Sequence, residues 1–347
     1  MVKKKKVCII LGNGFSIDFL NHLSESKPDI WGEIDVSNLF SHGAKLKWPS
    51  NKNPGFLSKK YTPNLWGLGA RPYLSKTETM EIIEKIVTSV NVYALTGSND
   101  IGPDQKYLRA YKELTSYLKY LFINYNNNLS NLPDDILTWS WAKYLKSLCE
   151  SPVVEEVVII TYNYDIWLER VLQKIGVEFE LPPMTKASND CKFKIFKPHG
   201  SISFKYKHDL PLSSFNINYQ YLKADCSAID IDVKYDDLYT NNPIVFLIPP
   251  AGDVNRTKDG WNTSLRQIYE PKIRELRKDD LMIISGISYW HVDRAEIDNI
   301  LIAPSDDEVD LININPAMDQ YFESVINSLF KNYIHFDGSE ILSELVL

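Results

Sequence analysis

The sequence predicts an α/β protein: a doubly wound, mainly parallel sheet with a helical insertion. Three observations lead there. The apolar run Val7-Cys8-Ile9-Ile10-Leu11 ends on two glycines one residue apart, Gly12 and Gly14, and the residues after them suit a helix. Five later apolar runs have the length of strands buried on both faces and alternate with helical segments. Polar residues collect at the carboxyl ends of these runs, where sheets of this kind hold their ligands.

The first run can only be a buried strand, with Cys8 as a core thiol. Its glycine turn is the Rossmann-like layout that offers backbone N–H groups and a helix N-terminus to a pyrophosphate. The third glycine of G-x-G-x-x-G is missing, and a plain strand-to-helix turn would read much the same. From about Pro28 to Pro72 the chain is rich in Pro, Gly, Asn, Trp and Lys without periodicity, which suggests an ordered excursion serving as a lid or contact surface. Helical spacing then dominates to Cys149. Ile82, Ile83, Ile86 and Val90 form one stripe, Leu108, Tyr111, Leu114, Leu118 and Leu121 a second, and Ile136 to Leu148 a third helix. Tyr107, Tyr111, Tyr117 and Tyr120 read as helix-packing surface.

Strand-like runs return at Glu156 to Thr161, Lys192 to Phe196, Ile244 to Ile248, Leu281 to Ser285 and Val309 to Ile314. Helical segments such as Ile166 to Ile175 and Asn262 to Arg277 separate most of them. Ser203 to Asn242 reads as a small irregular or β-rich insertion. The expected organisation is a core of residues 1–30 and 151–347, an inserted excursion and helical subdomain at 31–150, and the small insertion at 203–242 within the core.

At 347 residues the chain suits a large α/β domain with insertions. Its net charge of −7 argues against nonspecific nucleic-acid binding, and Lys3 to Lys6 read as a solubilising start. No apolar run has membrane-spanning length, and the N-terminus has no signal-peptide pattern. The four cysteines, Cys8, Cys149, Cys191 and Cys226, form no C-x-x-C pair. They fit a reducing cytoplasm and no zinc site. P-loop, H-E-x-x-H and G-x-S-x-G patterns are absent. His291 near Asp293 is a poor metal site alone, so no metal is expected, and Tyr289-Trp290-His291 reads as packing or a pocket border.

The strand ends supply Gly12, Asn13, Gly14 and Ser16; Thr161-Tyr162-Asn163-Tyr164-Asp165; Lys197-Pro198-His199-Gly200-Ser201; Gly286-Ile287-Ser288; and Asn313 and Asn315. This set resembles the sirtuin-like family of NAD-binding domains. Gly12-Asn13-Gly14-Phe15-Ser16 is similar to its G-x-G-x-S turn and Thr161-x-Asn163-x-Asp165 to its T-Q-N-x-D. His199-Gly200 is similar to its H-G, Gly286-x-Ser288 to its G-x-S, and Ile312-Asn313-x-Asn315 to its terminal I-N. The pieces follow the family's order over nearly the whole chain, outside the excursion and helical insertion. Tyr162 replaces the family's Gln, and the four-cysteine zinc module of the deacylases is missing. The chain looks closer to the bacterial antiphage branch, whose members resemble sirtuins but hydrolyse NAD.

The resemblance implies an NAD glycohydrolase giving nicotinamide and ADP-ribose. Nicotinamide leaves from a cationic ring, so the chemical need is to support an oxocarbenium-like transition state and deliver water to one face. His199 would be the general base. Asn163 would hold the ribose or the attacking water, and Asp165 the ribose or the nicotinamide amide. Ser16 and the Gly12 to Gly14 amides would hold the pyrophosphate, with Ser288 and Asn315 on the phosphate and adenosine side. Asp18, Thr161 and Gly286 complete the candidate contacts. Each position also has a structural use: His199 could cap a strand, Asn163 and Asp165 a helix, while Gly286-x-Ser288 and Asn315 could be ordinary turns. Rival readings are a non-catalytic NAD or ADP-ribose sensor, and a deacylase or ADP-ribosyltransferase. Because unchecked NAD hydrolysis would kill its host, a homo-oligomer that stays silent until a separate subunit activates it is expected. By resemblance, that subunit would be a HerA-type DNA translocase or a short Argonaute.

Overall fold

A computed structural model describes residues 4–49, 53–208, 212–224, 226–239, 241, 244–250, 260–289 and 294–345. The expected run of apolar strands forms a seven-stranded sheet. Its strands are β1 (Lys5–Leu11), β2 (Val154–Thr161), β3 (Phe179–Glu180), β4 (Phe193–Phe196), β7 (Leu281–Ser285), β8 (Asp310–Ile314) and β9 (Asn332–Phe336). They lie in the order β3-β4-β2-β1-β7-β8-β9, and every neighbouring pair is parallel. Leaving aside the two-residue β3 at the edge, this is the 3-2-1-4-5-6 order of the Rossmann fold. β1 is central because it is apolar on both faces: Val7 to Leu11 are all buried, paired with Val157–Thr161 on one side and Leu281–Ser285 on the other. The chain reverses its direction of winding between β1 and β7, which opens a crevice at their carboxyl ends.

The core helices are α1 (Asn13–Ser24), α7 (Trp167–Lys174), α8 (Gly260–Arg274), α9 (Arg294–Leu301) and α10 (Gln320–Leu329). Between α1 and β2 lie α2 (Ile30–Glu33), α3 (Pro63–Gly67), α4 (Lys76–Ala94), α5 (Lys106–Asn128) and α6 (Ser140–Glu150). A capping box starts α4: Ser75 and Glu78 satisfy each other's backbone N–H. α5 is buried around most of its circumference and anchors the rest. Tyr117 donates to the Leu39 carbonyl (2.7 Å) and Tyr125 to that of Asp35 (3.1 Å), while Phe56 and Phe215 pack on Tyr120. The 28–72 excursion is thus held on the helical insertion by its aromatic side chains. The insertion at 203–242 carries a separate antiparallel pair, β5 (Phe204–Tyr206) and β6 (Ile231–Val233).

Three expectations need correction. Ile244 to Ile248 is not a sheet strand: it lies beyond the end of β4, where Leu247 makes a single bridge to Gly200. The place beside β4 belongs to β3. β9 has no counterpart among the apolar runs, because an edge strand is half exposed and shows no continuous apolar stretch. The helix expected over Ile136 to Leu148 divides at Trp139, whose extended backbone separates a 3-10 turn (Asp134–Thr138) from α6. Trp290, His291 and Asp293 lie outside the described residues. No helix among those described is long and apolar enough to cross a membrane.

Candidate active site

The ends of β1, β2, β4 and β7 meet around one cleft of about 430 Å³. Gly12 and Asn13 border it from β1, Tyr162 to Asp165 from β2, His199 from β4, and Gly286 to Ser288 from β7. The floor is set by backbone packed on backbone. The Gly12 amide donates to the Ser285 carbonyl (2.9 Å) and the Gly14 amide to that of Gly286 (3.1 Å). A Cβ on Gly14 would overlap Gly286, which itself has φ +63°. The glycines are therefore explained by the close approach of two loops, and two of the three amides expected to grip a pyrophosphate are already engaged.

Behind this floor runs a buried polar chain. Asn163 donates through Nδ2 to the Gly12 carbonyl (2.9 Å) and to Ser16 Oγ (3.0 Å), and Ser16 donates to Asp165 Oδ2 (2.7 Å). Asp165 Oδ1 accepts the Trp167 amide (3.1 Å), so the carboxylate also serves the start of α7. Lys197 donates to the Asp165 carbonyl and pairs with Glu169 at 2.8 Å, both side chains being fully buried. Burial raises both carboxyls, Asp165 and Glu169, above their ordinary values, and the Lys197 charge only partly offsets the rise. Lys197 thus ties the Asp165 main chain to the Glu169 carboxylate.

His199 is buried at the cleft wall, and its Nε2 lies 3.0 Å from Glu296 Oε2 on α9. Tyr162 stands edge-on to the imidazole, with ring centroids 4.8 Å apart. A carboxylate on one ring nitrogen fixes the orientation and tautomer of a histidine. Glu296 had no signal in the sequence, because it lies 97 residues from its partner on a separate helix. The insertion closes the cleft from above with Val36, Leu39, Met80 and Phe122, and adds one cation, Lys76. These too belong to no motif.

The cleft gathers Gly12, Asn13, Asn163, Asp165, His199, Gly286 and Ser288. Gly14 stands directly behind, against Gly286. Ser16 and Thr161 are buried behind the lining and brace it, Thr161 Oγ1 accepting the Asn163 amide (3.3 Å). Asn315 also acts from behind, donating to the Ile287 carbonyl (2.9 Å). Asp18 does not line the cleft. Its carboxylate accepts from Trp139 Nε1 (3.2 Å) and Ser339 Oγ (2.7 Å), tying α1 to the insertion and to the last 3-10 turn. Among the described residues no group of His, Cys, Asp and Glu is placed to hold a metal ion. No family model matches the chain, and no curated protein matches its sequence.

Proposed function

We propose that the chain is an NAD glycohydrolase, splitting NAD into nicotinamide and ADP-ribose. The observation that carries this reading is the meeting of Asn163, His199 and the glycine turn in one cleft at the switch point of a Rossmann sheet. The cleft volume of about 430 Å³ falls within the range of small-molecule sites, about 300–1,000 Å³. Asn163 presents a carboxamide that its bonds to Gly12 and Ser16 hold in place. It can orient the ribose or the water without adding charge. His199, oriented by its Nε2 contact to Glu296, is the general base that takes the water proton. The diphosphate falls to Asn13, Ser288 and the Lys76 ammonium, since the Gly12 and Gly14 amides are engaged. The apolar roof of Val36, Leu39, Met80 and Phe122 keeps bulk water from the cationic transition state.

By the resemblance of its motifs, the chain is the NAD-depleting effector of an antiphage system. It works as a homo-oligomer with a regulating subunit such as a HerA-type DNA translocase or a short Argonaute. The test is nicotinamide release, from purified protein and from phage-infected cells expressing it. Release is expected in at least one setting, reduced about 10²- to 10⁴-fold by His199→Ala and by Asn163→Ala. NAD left intact in both settings would overturn the reading.

A further inference from the structure

Beyond the carboxyl ends of β7 and β8 lies a cluster that no motif marks and the proposed reaction does not use. Arg294, at the start of α9, sets its guanidinium over the Tyr289 ring, 5.0 Å from the centroid, and over the Tyr321 ring at 5.6 Å. Phe322 stacks on Tyr289 with ring centroids 4.7 Å apart. Tyr289 follows β7 closely, and Tyr321 and Phe322 belong to the first turn of α10. The cluster adjoins the cleft. Ser288, next to Tyr289 in the chain, lines the cleft, and so does Ile297, one helical turn on from Arg294.

Arg294 forms no ion pair among the described residues, and its buried Nε has no hydrogen-bond partner there. The acidic groups beside Tyr289 are engaged by other donors. Asp298 accepts the Tyr289 hydroxyl (2.6 Å), and Asp319 caps α10 on the Tyr321 and Phe322 amides (2.9 and 3.0 Å). A guanidinium stays charged at physiological pH, and ring faces attract its charge but do not satisfy its in-plane N–H groups. A phosphate does both. The Tyr321 ring is 69% exposed, so the cluster is open to a ligand from solvent.

The cleft itself is short of positive charge. Among its described lining residues Lys76 is the one lysine or arginine, beside the carboxyls of Asp165 and Glu296. The Gly12 and Gly14 amides, which the glycine turn would offer to a diphosphate, are engaged by the Ser285 and Gly286 carbonyls. A dinucleotide brings at least two negative charges, more than one lysine offsets. Arg294, next to the Ser288 end of the cleft, carries the charge that the glycine turn does not provide. Its place between two tyrosine rings limits where its donors point, so a bound phosphate costs it less freedom than it would cost a lysine.

We propose that Arg294 binds a phosphate on the adenosine half of the substrate, either the diphosphate or a 2′-phosphate on the ribose, with Tyr289 and Tyr321 as the walls that hold its guanidinium. The inference rests on the NAD reading for the class of ligand, but its readout is binding and not turnover. Adenosine, 2′-AMP and ADP are titrated by calorimetry into the parent, Arg294→Ala and Arg294→Met. The Met variant keeps an unbranched stem against Tyr289, and thermal unfolding checks that each protein is folded. The parent is expected to bind ADP or 2′-AMP with a Kd below about 1 mM, at least about tenfold tighter than adenosine. Both variants should lose that advantage and bind adenosine as the parent does. The nucleotide that shows the advantage identifies which phosphate Arg294 meets. No advantage in the parent, or one that survives in a folded variant, overturns the inference, and nicotinamide release would then leave the NAD reading standing. An advantage that depends on Arg294 without any nicotinamide release overturns the NAD reading and keeps Arg294 as a nucleotide-phosphate site.

Discussion

His199 and Glu296 come from a strand end and a helix 97 residues apart, and their 3.0 Å contact is the feature of the cleft most open to a single substitution. Glu296→Gln keeps the shape of the side chain and removes its charge. An imidazole deprived of its carboxylate is held less firmly in one tautomer, so kcat for nicotinamide release should fall about 10- to 100-fold with KM nearly unchanged. A rise in KM at unchanged kcat would assign Glu296 to substrate binding instead. Other polar residues at strand ends turn out to serve the interior. Ser16 bridges Asn163 and Asp165, and Asp18 joins Trp139 to Ser339. Sequence position marks both as near a ligand. The direction of each side chain decides otherwise.

At the scale of elements, the loops after β1, β4 and β7 owe their shape to neighbours far away in the chain. Gly12 and Gly14 lie against Gly286, and Gly200 against the carbonyl of Phe246. A methyl group at Gly200 meets both a left-handed backbone and an occupied space. Gly200→Ala is expected to cost about 2–4 kcal/mol of stability and to displace His199. Thermal unfolding alongside the His199 NMR signal measures both, and an unshifted signal in a fully stable variant would contradict the packing described. The segment over 244–248 teaches the same lesson. Its composition matches a buried strand, but its hydrogen bonds go to the loop after β4, so it lies on the His199 loop and leads to Pro250 at the cleft wall.

At the scale of the molecule, charge fastens the layers at the end of the sheet away from the cleft. Glu156 on β2 accepts from Lys194 on β4 (2.7 Å) and Lys272 on α8 (2.6 Å). Burial opposes ionisation of Glu156, yet the two lysines hold its carboxyl below the ordinary value. The folded state thus binds this proton less tightly than the unfolded chain. The stabilisation is complete once the pH exceeds the unfolded carboxyl value, about 4.3, and it is lost as the pH falls through the lower folded value. Urea titrations should show Glu156→Gln less stable than the parent by about 2 kcal/mol at pH 7, with the gap closing towards pH 3. An undiminished gap at pH 3 would mean that packing, and not charge, sets the difference.

What the sequence determined is what depends on neighbours within a few residues. Continuous apolar runs can be satisfied only by strands buried on both faces, so the parallel sheet and its alternation with helices were legible. Because ligands of such sheets sit beyond the carboxyl ends, the candidates Gly12, Asn13, Asn163, Asp165, His199, Gly286 and Ser288 were legible too, and they line one cleft. The tertiary structure decided what depends on contacts between distant segments. These are the partner of His199, the engagement of the Gly12 and Gly14 amides, the turning of Asp18 away from the cleft towards Trp139 and Ser339, and the roof of Val36, Leu39, Met80 and Phe122. Periodicity records whether a side chain is buried, because burial repeats with the backbone. It carries no record of which distant group that side chain meets, since that is fixed only when the layers close on one another.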